Sequence, residues 1–187
     1  MLFSPDGAYV SFVRQPSVAF MRQSPNATLR IWTSAGKLVK SIDGSLATMS
    51  VWSGDTLYWR DDKGVEAWRD GVQSVPLPGT YWVRPHASPA GGQVVFEVRD
   101  AYVGRATVFL FDTKTGKTRV IAQDRSEPAF LTSRYLWYQG ERGCTQSDKN
   151  CVGTTIETGL TYIYDLQTGQ EFRSIITGVY DVWPHAA

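Results

Sequence analysis

The sequence predicts an all-β chain built from repeated four-stranded antiparallel units. Aromatic residues make up 13% of it, with seven Trp and nine Tyr, and flat, broad side chains of this kind are favoured where sheets stack face to face. Short Gly-containing turns recur between alternating segments, and Gly supplies the positive φ that closes a tight connection. The same hairpin layout then returns along the whole chain, the mark of a repeat architecture.

The hairpins are read in order at Leu29 to Ile42, Val65 to Leu77, Val108 to Ile121 and Thr161 to Ile175. Their turns are Thr33-Ser34-Ala35-Gly36-Lys37, Arg69-Asp70-Gly71, Asp112-Thr113-Lys114-Thr115-Gly116-Lys117 and Asp165-Leu166-Gln167-Thr168-Gly169-Gln170. Upstream of each lies a strand with period-2 alternation: Tyr9 to Val13, Thr56 to Trp59, Gln93 to Val98 and Tyr135 to Tyr138. Earlier still come first strands at Thr48 to Trp52, Tyr81 to Pro85 and Pro128 to Leu131, with Met1-Leu2-Phe3 as the remnant of another. Tyr180 to Trp183 reads as the start of a further unit.

Four strands per unit is the pattern of a β-propeller blade. The expected organisation is one domain with units at about 1–42, 43–77, 78–121 and 122–176, and a fifth beginning at 177–187. Half a motif at each end predicts an open fragment of a six- to seven-bladed propeller that self-associates through its exposed blade edges. The alternative is a four-bladed ring in which Tyr180 to Trp183 supplies the strand that Met1 to Phe3 lacks.

Phe3-Ser4-Pro5-Asp6-Gly7-Ala8-Tyr9-Val10-Ser11-Phe12 and the weaker Ala87-Ser88-Pro89-Ala90-Gly91-Gly92-Gln93-Val94-Val95-Phe96 carry a resemblance. Through them the chain resembles the TolB-like, WD-type propellers, in which a Ser-Pro-Asp-Gly turn joins the first strand to the second. The second and fourth units use Ser53-Gly54-Asp55 and Thr132-Ser133-Arg134 instead. The resemblance implies protein partners in the cell envelope. Similar propellers gate the active sites of prolyl-oligopeptidase-like enzymes, a second lineage.

In an antiparallel four-stranded blade the turns between strands one and two and between three and four share one face. The other connections share the opposite face, and there the lengths vary: Arg14 to Ala27, Asp61 to Gly64, Arg99 to Ala106 and Gln139 to Gly159. Loops on a rigid scaffold are where function concentrates. Beside that face the sequence places Tyr81, Trp82, Arg125, Glu127, Tyr180 and Asp181, a mix of aromatic and charged groups suited to recognition. Arg84 and His86 fall toward the other end. For Trp52, Trp82 and Trp183 the competing reading is packing between blades.

Nineteen basic side chains against eighteen acidic ones give a net charge of +1, with no basic run to neutralise a row of phosphates, so nucleic acid is not an expected partner. Apolar runs such as Val108 to Phe111 are much shorter than the roughly 20 residues of a spanning helix, so no membrane insertion is expected. No leader pattern precedes Ser4, which leaves a cytoplasmic location or an export signal outside this chain.

Cys144 and Cys151 are the two cysteines of the chain and share one polar loop. They predict a disulfide and, with it, a periplasmic or extracellular compartment; two free thiols in a reducing cytoplasm are the alternative. Zinc would need further ligands, and His86 and His185 belong to other parts of the fold, so neither metal nor cofactor is expected. Asn26-Ala27-Thr28 matches the glycosylation pattern, which matters only for a eukaryotic secreted protein.

Catalytic signatures are missing: there is no Gly-x-Ser-x-Gly elbow, His-Glu-x-x-His pair, Walker loop or Gly-x-Gly-x-x-Gly. Asp61 and Asp62, within Arg60-Asp61-Asp62-Lys63-Gly64, read as a charged turn rather than as paired catalytic acids. The chain is therefore expected to be a non-catalytic module that binds a protein, peptide or glycan through its long-loop face. The alternative is the propeller part of a prolyl-oligopeptidase-like serine peptidase, or of another propeller hydrolase or lyase.

Overall fold

A computed structural model describes residues 1–14, 28–43, 49–60, 64–69, 72–75, 82–99, 105–144 and 155–175. Among them there are strands and turns and no helix, so none is long and apolar enough to cross a membrane. The strands form four antiparallel four-stranded sheets, each in simple sequential order. The chain divides into two compact units, residues 1–77 and 78–187, with two sheets in each.

The first unit holds β1 (Leu2–Phe3), β2 (Tyr9–Arg14), β3 (Thr28–Thr33) and β4 (Leu38–Asp43) in one sheet. Its second sheet is β5 (Ser50–Ser53), β6 (Thr56–Arg60), β7 (Val65–Trp68) and β8 (Val72–Val75). Alternation along β3 buries Leu29 and Ile31, which pack with Trp52, Leu57, Trp59 and Trp68. Tyr9 lies parallel to Trp52 at 6.0 Å and edge-on to Trp68 at 5.1 Å. The indole Nε1 of Trp52 donates to the Ser11 hydroxyl at 2.9 Å, giving a buried tryptophan the partner its one polar atom requires.

The Ser-Pro-Asp-Gly turn between β1 and β2 is a closed set of local bonds. Ser4 N donates to Tyr9 O at 3.0 Å and Gly7 N to Ser4 O at 2.9 Å. The Asp6 carboxylate accepts from Ser4 Oγ at 2.6 Å and from Ala8 N at 3.0 Å. Those bonds, the serine hydroxyl first, hold the Asp6 carboxyl below its ordinary value. Gly7 closes the turn at φ 70, which a β-carbon would oppose. The weaker motif makes the same two backbone bonds, Ser88 N to Gln93 O at 2.9 Å and Gly91 N to Ser88 O at 2.8 Å.

The second unit holds β9 (Trp82–Ala87), β10 (Gln93–Arg99), β11 (Ala106–Asp112) and β12 (Lys117–Gln123) in one sheet. The other sheet is β13 (Arg125–Phe130), β14 (Tyr135–Gly143), β15 (Thr155–Asp165) and β16 (Glu171–Ser174). Residues 94 to 98 of β10 are all buried, the pattern of a strand covered on both faces. Val95 packs with Val108, Leu110, Phe130, Leu136 and Tyr138 between the two sheets. Val94, Phe96 and Val98 belong to the opposite face, where Phe96 stacks on Trp82 at 4.9 Å and on Phe109 at 5.7 Å.

Two boundaries differ from the sequence reading. The connection read from Gln139 to Gly159 is strand at both ends, because the ladder continues through Glu141↔Glu157, Arg142↔Ile156 and Gly143↔Thr155. Gly140 and Gly159 mark a register shift inside this hairpin, not its loop, as glycine in a strand often does. The first strand read from Pro128 begins earlier, at Arg125, and Pro128 sits inside it at a bulge, where its missing N–H is no loss.

Candidate functional site

Along β10 the row Val95, Glu97, Arg99 points toward β13 and β14, apolar at one end and charged at the other. Glu97 is 1% exposed. Such a carboxylate needs several donors, and it has them. Its Oε1 accepts from Arg99 Nε at 3.0 Å and lies 3.5 Å from an Arg84 terminal nitrogen, while its Oε2 accepts the backbone N–H of Glu127 at 2.7 Å. Arg99 also reaches Glu141 at 2.7 Å. Burial alone would lower the Arg99 guanidinium, but the charge of Glu97 and the bond to Glu141 hold it above its ordinary value.

Glu141 accepts the backbone N–H of Ala106 as well, at 3.3 Å, so one carboxylate joins β14 to the start of β11. Breaking a buried pair by removing one member leaves the other charge uncompensated, at a cost of about 3–5 kcal/mol. The network is therefore held as a unit.

Two residues carry it to the surface. Arg84 contacts Glu127 at 3.1 Å, with side chains 47% and 33% exposed. Glu127 also accepts from Gln139 Nε2 at 2.6 Å. Arg84, Asp124 and Glu127 have φ of 48, 54 and 53, and they are the non-glycine residues of positive φ among the described residues. The left-handed conformation costs a residue with a β-carbon roughly 1–2 kcal/mol. Arg84 and Glu127 each precede a proline at a register shift, between Val95 and Glu97 in one pairing and between Ser126 and Ala129 in the other. Strain of this sort persists only where surrounding bonds enforce it, and here the Glu97 carboxylate holds the Glu127 amide directly.

Two partly exposed pairs flank the network. Arg105 meets Asp124 at 2.9 Å. Arg125 meets Glu171 through two nitrogens, at 2.7 and 3.3 Å, and lies 4.0 Å from the centre of the Tyr162 ring. Tyr138 donates to the same Glu171 at 2.6 Å. Burial first, then that carboxylate, push the Tyr138 phenol far above its ordinary value, so it stays a donor at any physiological pH.

Of the residues read from the sequence, Glu127 belongs to this network and Arg125 flanks it. Trp82 does not face solvent: it is 2% exposed and stacks on Phe96, so the packing reading replaces the surface one. The alternation along β9 turned its indole against Phe96 of the neighbouring strand. Tyr81, Tyr180, Asp181 and Cys151 lie outside the described residues, as do Asn26, Asp61, Asp62, Trp183 and His185. Cys144 follows the last residue of β14.

Arg84, read as lying toward the other end, meets Glu127 instead, and Glu97, Arg99 and Glu141 were missed as a site. One signal was present: a charged residue before proline recurs in Arg84-Pro85 and Glu127-Pro128. His86 has a different part, accepting the Phe130 N–H on Nδ1 at 3.2 Å. Among the described residues no group of three or more His, Cys, Asp or Glu side chains could hold a metal ion.

No protein-family model matches the chain. No curated protein matches it. Solved structures do. TolB from Acinetobacter baumannii is similar with a TM-score of 0.59 at 16% identity, over 92% of this chain and 42% of that one. An oligogalacturonate lyase in complex with manganese gives a TM-score of 0.63 at 11% identity, over 91% of this chain and 51% of that one. A Mycobacterium tuberculosis puromycin-hydrolyzing peptidase gives 0.62 at 11% identity, over 97% of this chain and 30% of that one. The four sheets are blades of a β-propeller. The chain spans about half, or less, of the length of these structures. At these identities the likeness concerns the fold, which non-catalytic and enzymatic proteins share.

Proposed function

We propose that this chain is the binding part of a propeller protein and that it engages its partner at the end of the second unit where Arg84, Glu127, Arg105 and Asp124 reach solvent. One observation carries the reading: strained, charged, partly exposed residues gather there over a buried ion network. Rigid support beneath exposed polar groups is what a recognition surface requires, because little ordering is left to be done on binding. The partner is a protein, peptide or glycan, and the propeller continues beyond these blades in the complete protein. The cysteine pair favours the periplasm or the cell surface over the cytoplasm.

The test is affinity capture from an envelope extract with the chain and with its Arg84→Ala and Glu127→Ala variants. A partner retained by the chain and lost from both variants, with their melting temperatures intact, supports the reading. Equal retention by all three moves the site elsewhere. The peptidase reading draws on the fold likeness to the puromycin-hydrolyzing peptidase. It requires a separate hydrolase domain in the complete protein, with this surface facing the domain's entrance.

A further inference from the structure

We infer that Arg84 and Glu127 are the specificity-determining positions of this surface, and that they read a polypeptide segment carrying charges of both signs in a set order. The inference rests on the binding reading above. Both residues hold a left-handed backbone, at φ 48 and 53, in front of a proline. Glycine takes that backbone without opposition, so shape alone would select glycine at both places. Their side chains are charged and partly exposed instead. The two positions are equivalent in adjacent blades, each at the bulge of the first strand of its sheet, and bulges re-aim side chains. Here they bring a guanidinium and a carboxylate to 3.1 Å.

The charges around them decide the kind of partner. Arg105 is matched by Asp124, Arg125 by Glu171 and Arg84 by Glu127. A ligand of one sign would have to separate these pairs, whereas a segment with ordered opposite charges extends them. Charge order of this kind selects partners by complementarity and by repulsion of the wrong arrangement. A peptide chain carries such an order in its side chains.

A phage-displayed library of random dodecapeptides is panned against the whole chain, against the Arg84→Gly and Glu127→Gly variants, and against the double reversal Arg84→Glu with Glu127→Arg. The chain is expected to enrich peptides that pair an acidic with a basic residue. The reversal should enrich the opposite order and bind the original peptides at least tenfold more weakly. The glycine variants should bind them as weakly, with Glu127→Gly melting near the temperature of the unaltered chain because strain is released there, whereas Arg84→Gly also takes a partner at 3.5 Å from the buried Glu97 carboxylate. Peptides shared at equal affinity between the chain and the reversal overturn the inference. So does a Glu127→Gly variant that melts several degrees lower, which would make the pair a structural brace. Failure of every form to enrich any peptide defeats the binding reading itself.

Discussion

The Nδ1 atom of His86, on β9, accepts the backbone N–H of Phe130, on β13, at 3.2 Å. An accepting Nδ1 places the ring hydrogen on Nε2 in the neutral imidazole. The bond crosses from one sheet of the second unit to the other and occupies an amide that the ladder with β14 leaves over. His86→Phe keeps an aromatic ring against Phe130 and removes the acceptor. It is expected to lower the unfolding free energy by about 1–3 kcal/mol, the cost of an orphaned buried donor. Urea unfolding with an unchanged m-value would measure it, and an unaltered midpoint would show that water replaces the ring.

In the first unit Trp52 Nε1 has the Ser11 hydroxyl as its partner at 2.9 Å. Ser11→Ala removes one oxygen and strands the indole donor, with an expected loss of about 1–3 kcal/mol. Ser11→Thr keeps the hydroxyl and should restore much of that loss. Tryptophan fluorescence during unfolding reports both.

Gly140 is fixed by contact. A β-carbon there would lie 2.7 Å from Thr158 Oγ1, 3.0 Å from Tyr162 Cε2 and 3.4 Å from the Leu160 carbonyl oxygen. Gly140→Ala is expected to cost about 1–3 kcal/mol by overpacking. Adding Thr158→Ala removes the nearest clash and should recover part of it, which a double-mutant cycle would resolve.

Asp165 accepts from Arg134 through both oxygens, at 2.9 and 2.5 Å, and from the Gln167 amide at 2.9 Å. The Arg134 bond is the leading cause that holds its carboxyl far below the ordinary 3.8. A depressed folded value means stability present above 3.8 and lost as pH falls toward the folded value. Arg134→Gln should therefore weaken the fold at neutral pH and flatten the acid limb of its stability profile, read by melting between neutral and strongly acidic pH. An unchanged acid limb would remove Asp165 as its source.

Cys144 and Cys151 share the connection between β14 and β15, which the paired ends Gly143 and Thr155 bring together. A disulfide between them is expected to leave the folded chain unlabelled by iodoacetamide until reductant is added. Labelling of both thiols without reductant would favour the cytoplasmic alternative.

The blade plan was legible because it rests on period: turn glycines, strand alternation and the Ser-Pro-Asp-Gly segment all report local geometry. Glu127 and Arg125 were legible as polar residues flanking a first strand. Glu97 was not, since a carboxylate between Phe96 and Val98 has the strand pattern of any alternating residue, and its donors come together only in three dimensions: Arg99 on its own strand, Arg84 on the paired strand and the Glu127 amide on the neighbouring sheet. Trp82 misled for the same reason: an aromatic near a loop face looks like a contact, and the inward turn that buries it is a property of the sheet.

The bonds from Phe130 to His86 and from Glu127 to Glu97 have a consequence for solubility. β13 is the terminal strand of its sheet, and those two amides would otherwise offer donors to any extended chain that drifted alongside. Side chains from the preceding blade close that edge. Losing either acceptor therefore does more than loosen one blade: it opens a docking rail for foreign strands, and such a variant would reveal itself first by clumping on storage, while its spectrum still looked folded.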